Sequence, residues 1–326
     1  MAGGIFGRAV VFILPVMPKF LIGWVARRYV AGKDLDSAVK VMKKLELEKA
    51  CTTVDVLGEE IKSLEEAEFF VEEYKRVIFA INEENLNANI SIKPTAFGLL
   101  LNREKGLENI SKICELAAKT DIFVRLDMED HRVTQDTIDV VLEMHSRNLT
   151  NVGCVLQSRL FRTKEDIQKI CKITKGSADF RLCKGIYLEP SEISYTDYQS
   201  IVDSFCSDID LALDLDAYVG IASHDLKVIK YAKDALKSRN LGSGLMDGRI
   251  NSPKNRTGKG EGYEFQFLLG VRGNIRRKLA AEGHLTRVYI PYGSQWYEYS
   301  MRRLRENPDI AWHVFKAMIF PWNNRR

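Results

Sequence analysis

The chain has 326 residues, 45% of them hydrophobic, with 48 Lys and Arg against 44 Asp and Glu for a net charge of +4. That length allows one large domain or two modest ones with ample core material, and a charge so near balance, with no nucleic-acid motif, gives no reason to invoke DNA or RNA as a partner. The six cysteines, at 51, 114, 154, 171, 183 and 206, are scattered through apolar runs without a CxxC pair, which argues against a disulfide or zinc framework and for reduced thiols in a cytosolic protein.

Residues 9–18 are wholly apolar and 20–26 mostly so, but Lys19 interrupts them and Pro15 and Pro18 break the helix. Ten residues are too few to span a bilayer. Arg8 alone is a thin basic region with no small-x-small cleavage site after it, so secretion is disfavoured. Residues 1–33 therefore read as an apolar arm that packs on the body or touches a membrane surface, and 34–326 as a single domain.

From Asp34, a predicted N-cap, the chain alternates. A helix over 35–47 leads to a strand at 51–57 that ends at Gly58. Helix 64–81 precedes strand 88–93, stopped by Pro94; helix 107–119 precedes strand 122–127. Helix 134–144 precedes strand 152–157, helix 164–173 precedes strand 179–184, and helix 194–213 precedes strand 217–222. Helix 226–236 is followed by a looser Gly- and Asn-rich region, 238–262, then by a strand at 263–269, a helix at 272–281 and a strand at 286–290. Counted from Cys51, eight strands each precede a helix, and no Pro- or Ser-rich boundary divides the set. Such alternation over about 250 residues is the length of one α/β (βα)8 TIM barrel. A doubly wound open sheet is the competing fold, disfavoured because no G-x-G-x-x-G opens the first helix.

After the last strand comes a turn at Pro291-Tyr292-Gly293, then a helix that Ser294 would cap and Asn307-Pro308 would close. Trp296, Tyr299, Arg302, Arg303 and Glu306 are spaced three or four apart and crowd one side of it. Two adjacent guanidinium forks suit one planar anion, and the aromatics supply an apolar wall beside it. The competing reading is a solvated basic helix with Arg–Glu pairs.

Barrel active sites lie at the C-terminal ends of the strands. There the second strand carries Lys93, the third Asp127-Met-Glu129-Asp130 and the fourth Gln157. The fifth carries Arg181 and Lys184, with Tyr187 just beyond; the sixth runs into Ser223-His224-Asp225, and the eighth carries Tyr289. Each residue alone fits a structural use: Lys93 as a solvated strand end, Asp127 as a loop cap, Gln157 as a backbone partner, His224 as an N-cap. Their common placement favours a site. The set is rich in donors and holds neither a metal-ligand pattern nor a G-x-S-x-G nucleophile. It suits a large anionic cofactor that carries the chemistry while the protein supplies position and charge.

Several ordered segments resemble the proline dehydrogenases, both the monofunctional flavoenzymes and the corresponding domain of the bifunctional proline-oxidising enzymes. They are Arg27-Arg28-Tyr-Val-Ala-Gly32, Ser91-Ile-Lys-Pro94, Leu126-Asp-Met-Glu-Asp130, Val155-Leu-Gln157 and Arg181-Leu-Cys-Lys-Gly-Ile-Tyr-Leu-Glu-Pro190. Ile221-Ala-Ser-His-Asp225, Tyr263-Glu-Phe-Gln266 and Tyr289 followed by Arg302-Arg303-x-x-Glu306 complete the set. The resemblance implies a distorted (βα)8 barrel with extra N-terminal helices, holding FAD without covalent linkage under a final helix over the barrel mouth. It implies that Arg302 and Arg303 clamp the proline carboxylate, with Glu306, Lys93 and Asp127 supporting them. Tyr289, Tyr299 and Leu268 would pack on the pyrrolidine ring, and Gln157, Arg181, Lys184, Gly185, Tyr187 and His224 would contact the flavin. Two departures are Ala-Ser-His224 for the usual Ala-Thr-His, which keeps a hydroxyl, and Cys183-Lys-Gly-Ile-Tyr187 for Val-Lys-Gly-Ala-Tyr, which changes bulk but no charge. The region 238–262 does not align, which leaves adenosine contacts there unassigned.

The reaction so implied is oxidation of L-proline to 1-pyrroline-5-carboxylate by hydride transfer to flavin N5, as the first step of proline catabolism. A quinone would take the electrons, and a separate pyrroline-5-carboxylate dehydrogenase the product. The location implied is the cytoplasm, with peripheral contact at the inner face of the membrane. Two other readings stay open: a flavoenzyme for hydroxyproline or another imino acid, which a ring-packing Tyr289 disfavours, and a non-catalytic barrel that binds a carboxylate.

Overall fold

The computed structural model describes residues 23, 26–249, 259–297 and 299–301. Among the elements whose bounds are described, helix α1 (Leu35–Leu47) is the first, with Asp34 accepting from Ser37 N at 2.9 Å as its cap. Eight strands follow: β1 (Ala50–Val56), β2 (Ala88–Ile92), β3 (Val124–Leu126), β4 (Val152–Gln157), β5 (Asp179–Cys183), β6 (Tyr218–Ala222), β7 (Tyr263–Leu268) and β8 (Thr286–Tyr292). The helices between them are α2 (Leu64–Glu83), α3 (Arg103–Ala118), α4 (His131–Ser146), α5 (Thr163–Thr174), α6 (Tyr198–Asp214), α7 (Leu226–Ser238) and α8 (Gly273–Ala281). The strands are parallel and pair in sequence order, and β1 closes on β8 through the register Ala50↔Thr286 to Val56↔Tyr292. The (βα)8 barrel expected from the alternation is therefore the fold, and the open sheet is not.

Side-chain parity explains why these strands close. One parity is apolar and buried: Val54, Ile90, Val124, Leu156, Phe180, Ile221, Phe265 and Ile290 pack with the inner faces of the helices into one core. The other parity faces the barrel interior and is polar. Arg125 of β3 pairs with Asp179 of β5, and Arg287 of β8 pairs with Glu264 of β7 at 2.7 Å. Such charges are tolerated in a core only when paired and hydrogen-bonded. Arg125 also donates to Asp179 O at 2.6 Å and Cys154 O at 3.0 Å.

Several boundaries move for local reasons. α3 begins at Arg103, four residues before the apolar period becomes visible, because Asn102 accepts from Lys105 N at 3.0 Å. α4 likewise begins at His131 with Asp130 as cap, and α6 begins only at Tyr198, where Asp197 accepts from Ser200 N at 2.8 Å. β8 runs through Pro291 to Tyr292 instead of turning there. The β7–β8 ladder ends at Leu268↔Tyr289, so Pro291 needs no donor on that side. Leu57 N and Ala31 N, at 2.8 Å each, take the carbonyls of Tyr292 and Pro291.

The turn between α7 and β7 lies at the N-terminal end of the barrel. Arg249 donates there to Leu213 O and Ala217 O at 3.1 and 3.0 Å. Lys259 inserts into the interior, 2.8 Å from Asp179 and 3.8 Å from the centre of the Tyr218 ring. The described parts of 238–262 thus lie at the end opposite the strand ends that carry the predicted site. At the mouth, Gly293 N donates to Gly32 O at 3.0 Å, and Val30 packs with Leu57, Tyr299 and Trp296. The stretch 26–32 is therefore packed on the end of β8. Among the described residues, no helix is long and apolar enough to cross a membrane.

Candidate active site

The C-terminal mouth is organised around Asp127. It follows β3, and its backbone N–H still bonds Ile92 O at 2.8 Å, which holds it at the strand end. Its Oδ1 accepts from Ser91 Oγ and from Arg181 Nη1, each at 2.6 Å, and its Oδ2 accepts from Tyr289 OH at 2.7 Å. One carboxylate thus ties β2, β3, β5 and β8 together. Arg181 is only 7% exposed, lies 5.1 Å over the Tyr289 ring, and donates from Nε to Gln266 Oε1 at 2.6 Å. Burial, then the Asp127 carboxylate, hold the Tyr289 phenol well above its ordinary range, so it stays protonated and donates.

Lys93, just past β2, bonds Asp55 of β1. Burial alone would push its ammonium down. The carboxylates of Asp55 and Asp127 overcome this and raise it, which keeps Lys93 charged. Asp55 itself is fully buried, and its Oδ2 has no hydrogen-bond partner among the described residues.

On the opposite rim, Gln157 closes β4. Its Nε2 donates to Glu129 O at 2.7 Å, while its buried Oε1 has no partner among the described residues. Gly185 faces that oxygen with φ +92°, and a Cβ there would stand 2.6 Å from it, so only glycine keeps this corner open. Lys184 bonds Asp225 at 2.6 Å and lies 4.2 Å over the Tyr198 ring. Burial opposes ionisation of Asp225, yet Lys184 and the Tyr198 hydroxyl hold its carboxyl down at about 2. Tyr187 accepts at its carbonyl from Arg159 and is half-buried. His224 Nε2 accepts from Leu268 N at 3.0 Å, which places its ring proton on Nδ1 and joins β6 to β7.

The mouth therefore brings together Asp127, Arg181 and Tyr289 as one bonded set, with the Lys93–Asp55 pair beside it and Gln157, Lys184, Gly185, Tyr187, His224 and Leu268 around it. Tyr299 is buried against Val30 and Leu57. Arg302, Arg303 and Glu306 lie outside the described residues. Asp55, Ser91 and Gln266 had no predicted role. Asp55 was detectable, since it shares the inward parity of Thr53 near the end of its strand.

A family model described as proline dehydrogenase matches residues 38–314. The chain belongs to the proline dehydrogenase family. It is similar to Proline dehydrogenase 1 of Bacillus subtilis strain 168, 34% identical over 294 residues and covering 90% of each chain. It is also similar to the Deinococcus radiodurans proline dehydrogenase, 31% identical over 303 residues with 90% of each chain covered. Among solved structures it resembles proline utilization A of Bdellovibrio bacteriovorus inactivated by N-propargylglycine, with a TM-score of 0.77 and 22% identity. That likeness covers 88% of this chain and 33% of the larger one and supports the barrel fold. As a proline dehydrogenase the chain is an oxidoreductase of proline catabolism.

The donor set also suits the flavin that the resemblance implies. A flavin ring edge alternates carbonyl acceptors with one N–H. Gln157 Oε1, without a partner among the described residues, offers an acceptor, and Arg181 and Lys184 offer cationic donors around the same mouth.

Proposed function

We propose that this mouth binds FAD without covalent attachment and oxidises L-proline to 1-pyrroline-5-carboxylate. The observation that carries the reading is the Asp127 hub, which holds Arg181 and Tyr289 in fixed positions at the strand ends of a proline dehydrogenase barrel. Bound FAD would accept, at N5, the hydride that leaves proline C5.

The chain's own residues supply position and charge. Arg302 and Arg303, by their match to the family motif, clamp the substrate carboxylate, with Glu306 beside them. Tyr289, Leu268 and Tyr299 pack on the pyrrolidine ring. Arg181, fixed by Asp127, Ser91 and Gln266, presents a preorganised positive charge where negative charge accumulates on reduction. Gln157, Lys184, Gly185, Tyr187 and His224 hold the cofactor. The proline nitrogen must lose its extra proton before its lone pair can form the C=N bond. Lys93 is held charged and Tyr289 is held protonated, so neither takes that proton, which goes to bulk water or is lost before proline is tightly bound. By family pattern, a quinone accepts the electrons at the membrane surface, toward which the apolar stretch 9–26 would be drawn, and a separate dehydrogenase consumes the product. Residues 34–326 form the catalytic domain.

The test is spectroscopic. Purified protein should carry a flavin band, heat should release FAD identifiable by chromatography, and proline should bleach the band without oxygen, with hydroxyproline far slower. A colourless protein, or proline-dependent reduction of NAD without flavin, overturns the proposal.

A further inference from the structure

Gln266 stands between two charges. Its Oε1 accepts from Arg181 Nε, and its Nε2 donates to Glu264 Oε1, each at 2.6 Å. The chemistry of the neighbours orients this amide, because a guanidinium only donates and a carboxylate only accepts. Glu264 is anchored in turn by Arg287, at 2.7 and 3.0 Å, and by Tyr218 OH at 2.9 Å. Burial works against its ionisation, but Arg287 and Lys259 hold its carboxyl well below the usual range.

A second observation points to the same amide. Gly220 sits mid-strand in β6, where glycine has a conformational cost. A Cβ there would lie 2.4 Å from Gln266 Nε2 and 3.0 Å from its Cδ. The neighbouring strand thus leaves out a side chain where Gln266 is seated. Without Gln266, the described bonds to Arg181 all converge on Nη1, from Asp127 and Ser91. Bonds on one nitrogen leave the guanidinium free to pivot. A bond at Nε, on the other side of the fork, sets its plane.

We propose that Gln266 is a positioning residue for the reaction: seated by Gly220 and aligned by Glu264, its amide sets the plane of Arg181 and hence how strongly that charge favours the reduced cofactor. This rests on the flavin reading above.

Gln266→Met keeps the length and removes both polar ends. The variant should fold and retain FAD, with the oxidised–reduced equilibrium of the bound flavin moved at least ~10-fold toward oxidised, about 30 mV for a two-electron couple. Its kcat should fall more than its KM for proline rises. In an Arg181→Met background the same substitution should shift the potential no further, because it acts through Arg181. Should Gln266→Met fail to fold, Gln266→Asn serves: it keeps the amide but falls one methylene short, so it should show the same shift. An unmoved potential in the folded variant, or a full further shift on top of Arg181→Met, overturns the inference. A wild type that carries no flavin is a different result, and it removes the functional reading along with this one.

Discussion

Asp127→Ala takes the shared acceptor from three donors at once: Arg181 Nη1 and Ser91 Oγ at 2.6 Å and Tyr289 OH at 2.7 Å. Tyr289 is part-exposed and its hydroxyl can turn to water, and the buried Ser91 hydroxyl is neutral and still accepts from Arg181 Nη1, so the two add less than the charge. Arg181 cannot turn to water, since its side chain is 9% exposed and the pair with Asp127 is its compensation. Removing one partner of a buried pair costs ~3–5 kcal/mol. At about 2.1 cal/mol/K per residue, unfolding 326 residues carries roughly 0.7 kcal/mol/K, so the melting temperature should fall by about 4–7 °C. Asp127→Asn, which keeps the volume and one acceptor for Arg181, should lose less than half of that. Calorimetry of the wild type and both variants at neutral pH measures the shifts, with a second probe to check that the transitions coincide. An alanine variant that melts within about 1 °C of wild type would show that Arg181 does not depend on Asp127, and the hub would be refuted.

Glu129 accepts from Thr95 N at 3.0 Å and from Thr95 Oγ1, yet burial raises its carboxyl from 4.5 to about 7. The folded state therefore holds the proton more tightly than the unfolded one, and stability is lost as pH rises across that window. Wild type minus Glu129→Gln should fall between about pH 4.5 and 7 and then level off; denaturation midpoints that differ by a constant would contradict this. Lys259 is shifted the other way, its ammonium lowered from 10.5 to about 8 by burial despite Asp179, so wild type should gain on Lys259→Met as pH rises from about 8 toward 10.5. A flat difference across that range, read by the same midpoints, counts against a buried ammonium at the barrel floor. Arg303→Met should leave FAD bound and weaken proline by at least ~10-fold in KM, since a charge-assisted bond is worth roughly 1.5–3 kcal/mol. Unchanged KM, and unchanged affinity for a non-oxidisable proline-like carboxylate, would remove the clamp.

The alternation of eight strands and their helices was legible because each element announces itself locally. The apolar parity of Val54, Ile90 and Phe180 and the 3.6-residue period of the helices are properties of short windows. Boundaries set by a single cap, such as Asn102 before α3, were less visible because one side chain outweighs the period there. Lys93, Asp127, Gln157 and Arg181 could be read as site residues because a barrel delivers every strand end to one rim, whatever the pairing.

The partnerships at that rim were not legible. Asp127 meets Arg181 across 54 positions and Tyr289 across 162, and Arg181 meets Gln266 across 85. Asp55 and Lys93 share a bond only because β1 and β2 are adjacent in register. Sequence alone determined the fold class, the family and the ring of polar strand ends, because local periodicity and ordered motifs do not depend on what lies opposite. Which charges neutralise which, that Gly220 makes room for Gln266, and that Lys259 reaches the far end of the interior were decided by barrel closure. Strand tilt and register set those contacts, and both are properties of the whole sheet.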